Sequence, residues 1–168
     1  LMSGYTWQLV DWFRDNPGRS HTRLAINSNL AMDWATIQRL LDSCRGVELD
    51  LYTSNESMAA HAEYIRDGLD WQTWNHNVQD ILMYEINPVR ALHVMCTINA
   101  LCLESLPEFL DHVVALKRAH GRDRVSFTLN ILRFPSFQSP LVLPADRREQ
   151  YRRRLASWMV RHKGSNYL

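Results

Sequence analysis

Apolar residues recur along the chain in two rhythms, one of helical spacing and one of period two, and the switches between them mark out the elements. Trp7, Leu9, Val10, Trp12 and Phe13 fall at helical spacing within Tyr5 to Phe13, and Asn16-Pro17-Gly18 stops that run. Arg23 to Asn27 predicts a short strand. Asp33 then caps an amphipathic segment, Trp34 to Leu41, that gathers Ile37, Leu40 and Leu41 on one face. Val47 to Tyr52 predicts a second strand, followed by helices over Met58 to Arg66 and Asp70 to Met83 that Asn87-Pro88 brings to an end. A third strand is expected over Leu92 to Asn99. A helix over Leu106 to His120 follows, with Gly121 in the C-cap position, and then a fourth strand over Val125 to Leu132. The loop Phe134 to Pro144 leads into a last helix over Ala145 to Arg161.

Strands that alternate with helices of this length imply right-handed crossovers and a parallel sheet, so the expected class is α/β. Parallel strands covered on both faces read as continuous apolar runs. Here Leu24/Ile26, Val47/Leu49/Leu51, Leu92/Val94/Cys96/Ile98 and Phe127/Leu129/Ile131 alternate with polar neighbours instead. One face should therefore carry Asn27, Glu48, Asp50, Tyr52, His93, Thr97, Asn99, Thr128 and Asn130. Burying such groups unpaired costs about 1–3 kcal/mol each, so a wet or ligand-filled lumen is expected. The pattern predicts a partial (β/α) barrel of the TIM type: a curved parallel sheet of four strands in sequence order, with helices on the outer face. In such folds the site lies at the C-terminal strand ends. Those ends are Asn27-Ser28-Asn29, Tyr52 to Glu56, Thr97-Ile98-Asn99 and Asn130 to Pro135.

Composition narrows this picture only slightly. With 168 residues, 46% hydrophobic and a net charge of +1, the chain reads as one ordinary globular domain, with no bulk charge to draw nucleic acid. No run approaches the length of a membrane span, and no signal pattern opens the chain, so a cytoplasmic location is expected. Cys44, Cys96 and Cys102 lack metal-site spacing, so reduced thiols and no bound metal are expected. The chain opens at Leu1 with a helix that has nothing before it to pack against, which suggests a piece of something longer.

Several strand ends taken together resemble the radical S-adenosylmethionine (radical SAM) enzymes, closest to members with a short C-terminal "twitch" extension. Leu24-Ala25-Ile26-Asn27-Ser28-Asn29 is similar to the third barrel strand and Val47 to Ser54 to the fourth. Ala62-Glu63-Tyr64-Ile65-Arg66-Asp67-Gly68, followed by Asp70 to Asn77, resembles the segment after that fourth strand. Cys96-Thr97-Ile98-Asn99 with Leu103 to Leu106 resembles the fifth strand and its helix, and Thr128 to Pro135 the sixth. The resemblance covers residues 1–143, leaving 144–168 as a basic amphipathic helix. It implies a barrel whose first two strands, with the CxxxCxxC cluster motif and a Gly-Gly-Glu-Pro, lie outside this sequence. The parent would then use S-adenosylmethionine and a 4Fe–4S cluster to abstract hydrogen from an unknown peptide, protein or small-molecule substrate, while this chain alone would be inactive and hold neither cofactor. By the same resemblance Asn27 and Asn29 would lie near the methionine moiety or ribose, Ser54 at the ribose, and Arg66 on the carboxylate. Asn99 joins them as a cofactor contact, and Leu132 and Phe134 would bracket the adenine. Glu48, Asp50, Tyr52, Thr97 and Asn130 would line the substrate lumen. Cys102 falls where many relatives carry Asn.

The residues also admit plainer roles. Arg66 could pair with Glu63 or Asp67, and Asn27 and Asn29 could be turn residues. His93 could be a satisfied core histidine. Glu48 and Asp50 could serve as acid/base or metal carboxylates, although a hydrogen-bonded lumen pair is preferred. On the last helix Tyr151, Leu155, Trp158 and His162 form one stripe; the arginines around it could track phosphates or, as preferred, cover the barrel with their stems. A non-radical βα module that binds a polar metabolite or an acidic polymer is the competing reading. Exposure of the first strand's edge further predicts self-association.

Overall fold

The computed structural model describes residues 3–16 and 23–165. Ten main elements follow in order: α1 (Gly4–Asp15), β1 (Leu24–Asn27), α2 (Trp34–Ser43), β2 (Leu49–Ser54), α3 (Ala59–Ile65), α4 (Trp71–Met83), β3 (Val89–Ile98), α5 (Leu106–His120), β4 (Val125–Ile131) and α6 (Ala145–Arg161). Local chemistry explains the boundaries. Asp33 Oδ1 accepts from the Thr36 N–H at 2.9 Å and Asp70 Oδ1 from Thr73 at 2.6 Å, so α2 and α4 each begin on an aspartate cap. Asn16 closes α1, its Nδ2 donating to the Trp12 carbonyl at 2.8 Å; Pro17-Gly18 lies outside the described residues. Gly121, at φ +95°, takes a backbone conformation that other residues rarely adopt and lets the chain leave α5.

Two strands differ from the hydrophobic pattern. β2 starts at Leu49 rather than Val47 because the Val47 N–H is still bonded to Cys44 O, 2.9 Å away, in the turn out of α2. β3 starts at Val89 rather than Leu92. Asn87 bonds the Ile81 carbonyl and accepts from the Val89 N–H at 2.9 Å, so it ends α4 and starts the strand within three residues. A register irregularity at Leu49/Asp50, opposite Val89 to Ala91, then accommodates Arg90.

All strand pairs are parallel and the order is β1-β2-β3-β4, as the alternation predicts. Among the described residues the sheet is open at both edges. Register sets Asn27, Tyr52, His93 and Ser126 in one cross-strand row, with Asp50, Ser54, Met95, Thr97, Thr128 and Asn130 on the same face. The other face carries Leu24, Ile26, Leu49, Leu51, Leu92, Val94 and Cys96, all buried in the core with residues of α2, α4 and α5. Burial of a side chain of this size is worth about 1.5–3 kcal/mol, so this face holds the helices on.

Trp74 of α4 is fully buried and donates from Nε1 to Thr53 Oγ1 at 3.0 Å, so its one polar atom is satisfied. Trp71 stacks on it at 5.2 Å, and Phe109 and His112 of α5 close the cluster. α1 packs on α2, where the Arg39 guanidinium sits 4.1 Å from the Trp7 ring. The α6 stripe docks on α5: Trp158 Nε1 donates to Asp111 Oδ1 at 2.7 Å, and Tyr151 donates to Glu104 at 3.0 Å. Arg154 pairs with Glu104 at 2.7 Å and with Glu108 at 3.5 Å, while Arg152 and Arg153 both close on Glu149. No helix among the described residues is long and apolar enough to cross a membrane.

Candidate functional site at the strand ends

The loop after β2 builds a charged knot at the C-terminal end of the sheet. Asn55 is buried and its Oδ1 accepts from the Glu56 N–H at 2.9 Å and the Ser57 N–H at 3.3 Å, which turns the chain sharply and aims Glu56 inward. Glu56 is only 3% exposed. Its Oε2 accepts from Arg66 Nε at 3.0 Å and Nη2 at 2.5 Å, and its Oε1 faces Asn99 Nδ2 at 3.5 Å. Burial raises the Glu56 pKa, and the charge and hydrogen bonds of Arg66, with help from Asn99, offset only part of that rise. Ser57 and Ser105 share a hydrogen bond of 2.5 Å beside the knot.

Arg66 therefore pairs with neither Glu63 nor Asp67; its partner is ten residues back and buried. Its Nη1 has no partner among the described residues. Asn99 is fully engaged: Oδ1 accepts from the Leu101 N–H at 2.9 Å and the Cys102 N–H at 3.0 Å, and Nδ2 faces Glu56 and, at 3.3 Å, the Thr97 carbonyl. That leaves it a support for Glu56 and for the turn Cys102–Glu104, with no free hydrogen-bonding capacity for a ligand. Cys102 does make a polar contact, since its Sγ accepts from the Asn99 N–H at 3.3 Å.

The remaining strand-end residues stand apart from the knot. Ser28 Oγ and Asn29 Oδ1 accept from the N–H groups of Leu30 and Ala31, at 3.2 and 3.3 Å, in a turn that puts Leu30 at φ +53°. Asn29 is thus a turn residue whose amide nitrogen has no partner among the described residues, and Asn27 is exposed beside it. Ser54 is half-buried in register with Met95. The Leu132 N–H donates to Ile98 O at 2.8 Å, but Phe134 is 85% exposed and does not close a slot with it.

A second cluster occupies the polar face below the knot. Arg90 Nη2 lies 2.8 Å from Asp50, whose Oδ1 also faces His93 Nε2 at 3.7 Å. His93 stacks on Tyr52 at 4.3 Å and bonds Ser126 Oγ through Nδ1. Burial pushes the Asp50 pKa up, but Arg90 and His93 outweigh it and the net shift is downward. Glu48 does not join Asp50 in a carboxylate pair. It sits at the opposite, N-terminal end of the face, exposed, bonded to Arg23 at 3.0 Å. Thr97 is half-buried and Asn130 exposed, opposite each other across β3 and β4.

Sequence reading passed over the roles of Glu56, Asn55 and Ser57. The signal that could have found them is the unbroken polar run after the apolar strand, Thr53 to Ser57, since a carboxylate in such a tight turn faces either solvent or a cation.

The thiols do not fit a cluster. Cys44, Cys96 and Cys102 are buried, and burial raises all three pKa values, Cys44 and Cys102 each to about 11. Cys96 lies on the helix-covered face, and among the described residues no three His, Cys, Asp or Glu side chains come together to hold a metal ion. Compared with family models, curated proteins and solved structures, the chain finds no match.

Proposed function

We propose that this sheet is the cofactor- and substrate-facing part of a radical SAM barrel, and that Arg66, Ser54 and Asn27 contact S-adenosylmethionine. The observation that carries the reading is the Arg66 guanidinium at the C-terminal strand ends. It is braced through Nε and Nη2 by a buried carboxylate, so that Nη1 is left for a ligand. A guanidinium fixed in this way presents a charge-assisted donor without losing rotamer freedom on binding. Ser54 Oγ and the Asn27 side chain add unpartnered polar groups at the same end, among the described residues. Asn29 offers its amide nitrogen; Leu132 and exposed Phe134 supply apolar surface for a base, while Asn99 acts through Glu56.

With a reduced 4Fe–4S cluster held outside this chain, S-adenosylmethionine bound at Arg66, Ser54 and Asn27 would supply the radical chemistry directed at the substrate. The cysteines of this chain do not hold that cluster. What the chain contributes is binding and orientation. Arg66 fixes the carboxylate end, and Asp50, Tyr52, Thr97 and Asn130, with His93, offer a polar wall to the substrate.

The test uses protein made from the complete reading frame, purified without oxygen. Calorimetry should show S-adenosylmethionine binding that weakens about tenfold in Ser54→Ala, a loss of roughly one hydrogen bond. Reduction should yield 5′-deoxyadenosine. Absence of that product, together with equal affinity in wild type, Ser54→Ala and Arg66→Met, refutes the reading.

A further inference from the structure

β4 is an edge strand without the devices that usually protect an edge. Val125–Ile131 reads VSFTLNI, with no charge and no proline to deter pairing. The Arg124 carbonyl accepts from Leu92 N and Leu132 N donates to Ile98 O, so the even-numbered positions address β3. By the alternation of a parallel ladder, the N–H and C=O groups of Phe127, Leu129 and Ile131 point away from the sheet. They have no partner among the described residues. Beside this edge, on the helix side, lies an apolar groove of about 400 Å³ lined by Leu129, Phe127, Leu110, Leu155, Trp158 and Met159. Leu129, in its lining, is 53% exposed, and Ile131, two residues on along the same strand, is 62% exposed. On the opposite side of the same edge stand the exposed polar residues Thr128 and Asn130.

We propose that the β4 edge binds an extended peptide segment as a fifth strand. Unpaired backbone groups specify main-chain pairing, and the two sides specify the side chains: apolar residues toward the groove, polar ones toward the open face. Charge selects among such segments. Arg124 precedes the strand and Arg133 follows it, about 30 Å apart along an extended chain, and neither has an ionic partner among the described residues. The fitting segment therefore carries a carboxylate near each end. A second copy of this chain fits less well. Two β4 edges paired antiparallel through the outward groups of Phe127, Leu129 and Ile131, in the register centred on Leu129, would set Arg124 opposite Phe134 and Arg133 opposite Val125, so neither arginine would meet a carboxylate directly across the pair.

The probe is a fluorescein-labelled decapeptide, Glu-Thr-Val-Thr-Val-Thr-Val-Thr-Val-Glu, titrated into the full chain without cofactor, so this result is independent of the radical SAM reading. Saturable anisotropy is expected, together with amide shift changes centred on Phe127, Leu129 and Ile131. N-methylation of alternate residues should abolish binding, and replacing both Glu by Lys should weaken it about tenfold. The double variant Arg124→Glu, Arg133→Glu should reverse that charge preference. No saturable binding, equal binding of the N-methylated peptide, or shifts elsewhere would overturn the proposal. So would a concentration-dependent dimer that shields the same three amides, which would assign the edge to a second copy.

Discussion

Two acid–arginine pairings, one at the strand ends and one on α6, use the same groups and behave in opposite ways. Glu56, buried against Arg66, has a raised pKa; Glu149, exposed between Arg152 and Arg153, has a pKa lowered to about 2. Distance does not explain this, because Arg66 approaches Glu56 to 2.5 Å and Arg152 approaches Glu149 to 2.6 Å. Desolvation does. Removing water from Glu56 costs more than one guanidinium returns, whereas Glu149 keeps its water and gains two partners. The strand-end pair is consequently held in place by the fold, and the α6 pair is decoration on a helix that Trp158 and Tyr151 already anchor.

The sharpest way to break this comparison is Arg66→Met, which leaves the Glu56 charge buried without a cation and with only the Asn99 amide beside it. The expected loss is about 3–5 kcal/mol in urea unfolding at pH 7, largely recovered by adding Glu56→Gln. The pH dependence gives a second handle. The folded pKa of Glu56 lies above its unfolded value, so its contribution is fully present below about pH 4.5 and is lost as pH rises through the folded value. Without Arg66 the folded value rises further, and the decline in stability should extend to higher pH than in wild type. A parallel pair of pH–stability curves would contradict the desolvation argument.

A smaller effect is expected on the α6 side. Trp158→Phe keeps the ring in the groove but loses the bond to Asp111, which should cost about 1 kcal/mol and loosen α6, measured by amide exchange in that helix. The smallest is Glu149→Gln. Ion pairs open to solvent are screened by salt, so the unfolding midpoint should not move in 0.15 M NaCl, and a clear downward shift would show that the solvated pairing is worth more than its solvation allows.

Much of the fold was legible because it rests on periodicity that a single segment carries by itself. α5 and α6 run over the same residues that the pattern marks, and the strand order follows from helix-length crossovers. The shifted starts of β2 and β3 arise where a turn borrows a strand residue's N–H, as Cys44 does with Val47, which no hydrophobic rhythm reports. At the site, the polar face could be read off the alternation of Asp50, Tyr52, Thr97 and Asn130. The partner of Arg66 could not. Glu63 and Asp67 are its close neighbours in sequence, yet Glu56 reaches it across the whole of α3, and Asn99 completes the knot from just beyond the end of β3. Such pairings exist only once the sheet has set the loops side by side.

The simple strand order has a consequence for assembly. Every strand pairs with the one made just before it, so no later segment must be inserted between two already joined, and each closure spans a single crossover. Sheets of this kind can be laid down in the direction of synthesis, one unit docking on the last, with only modest loop-closure entropy at each step. At every stage the growing edge is the newest strand. Among the described residues that edge is β4, which keeps the open backbone that each earlier strand offered to its successor.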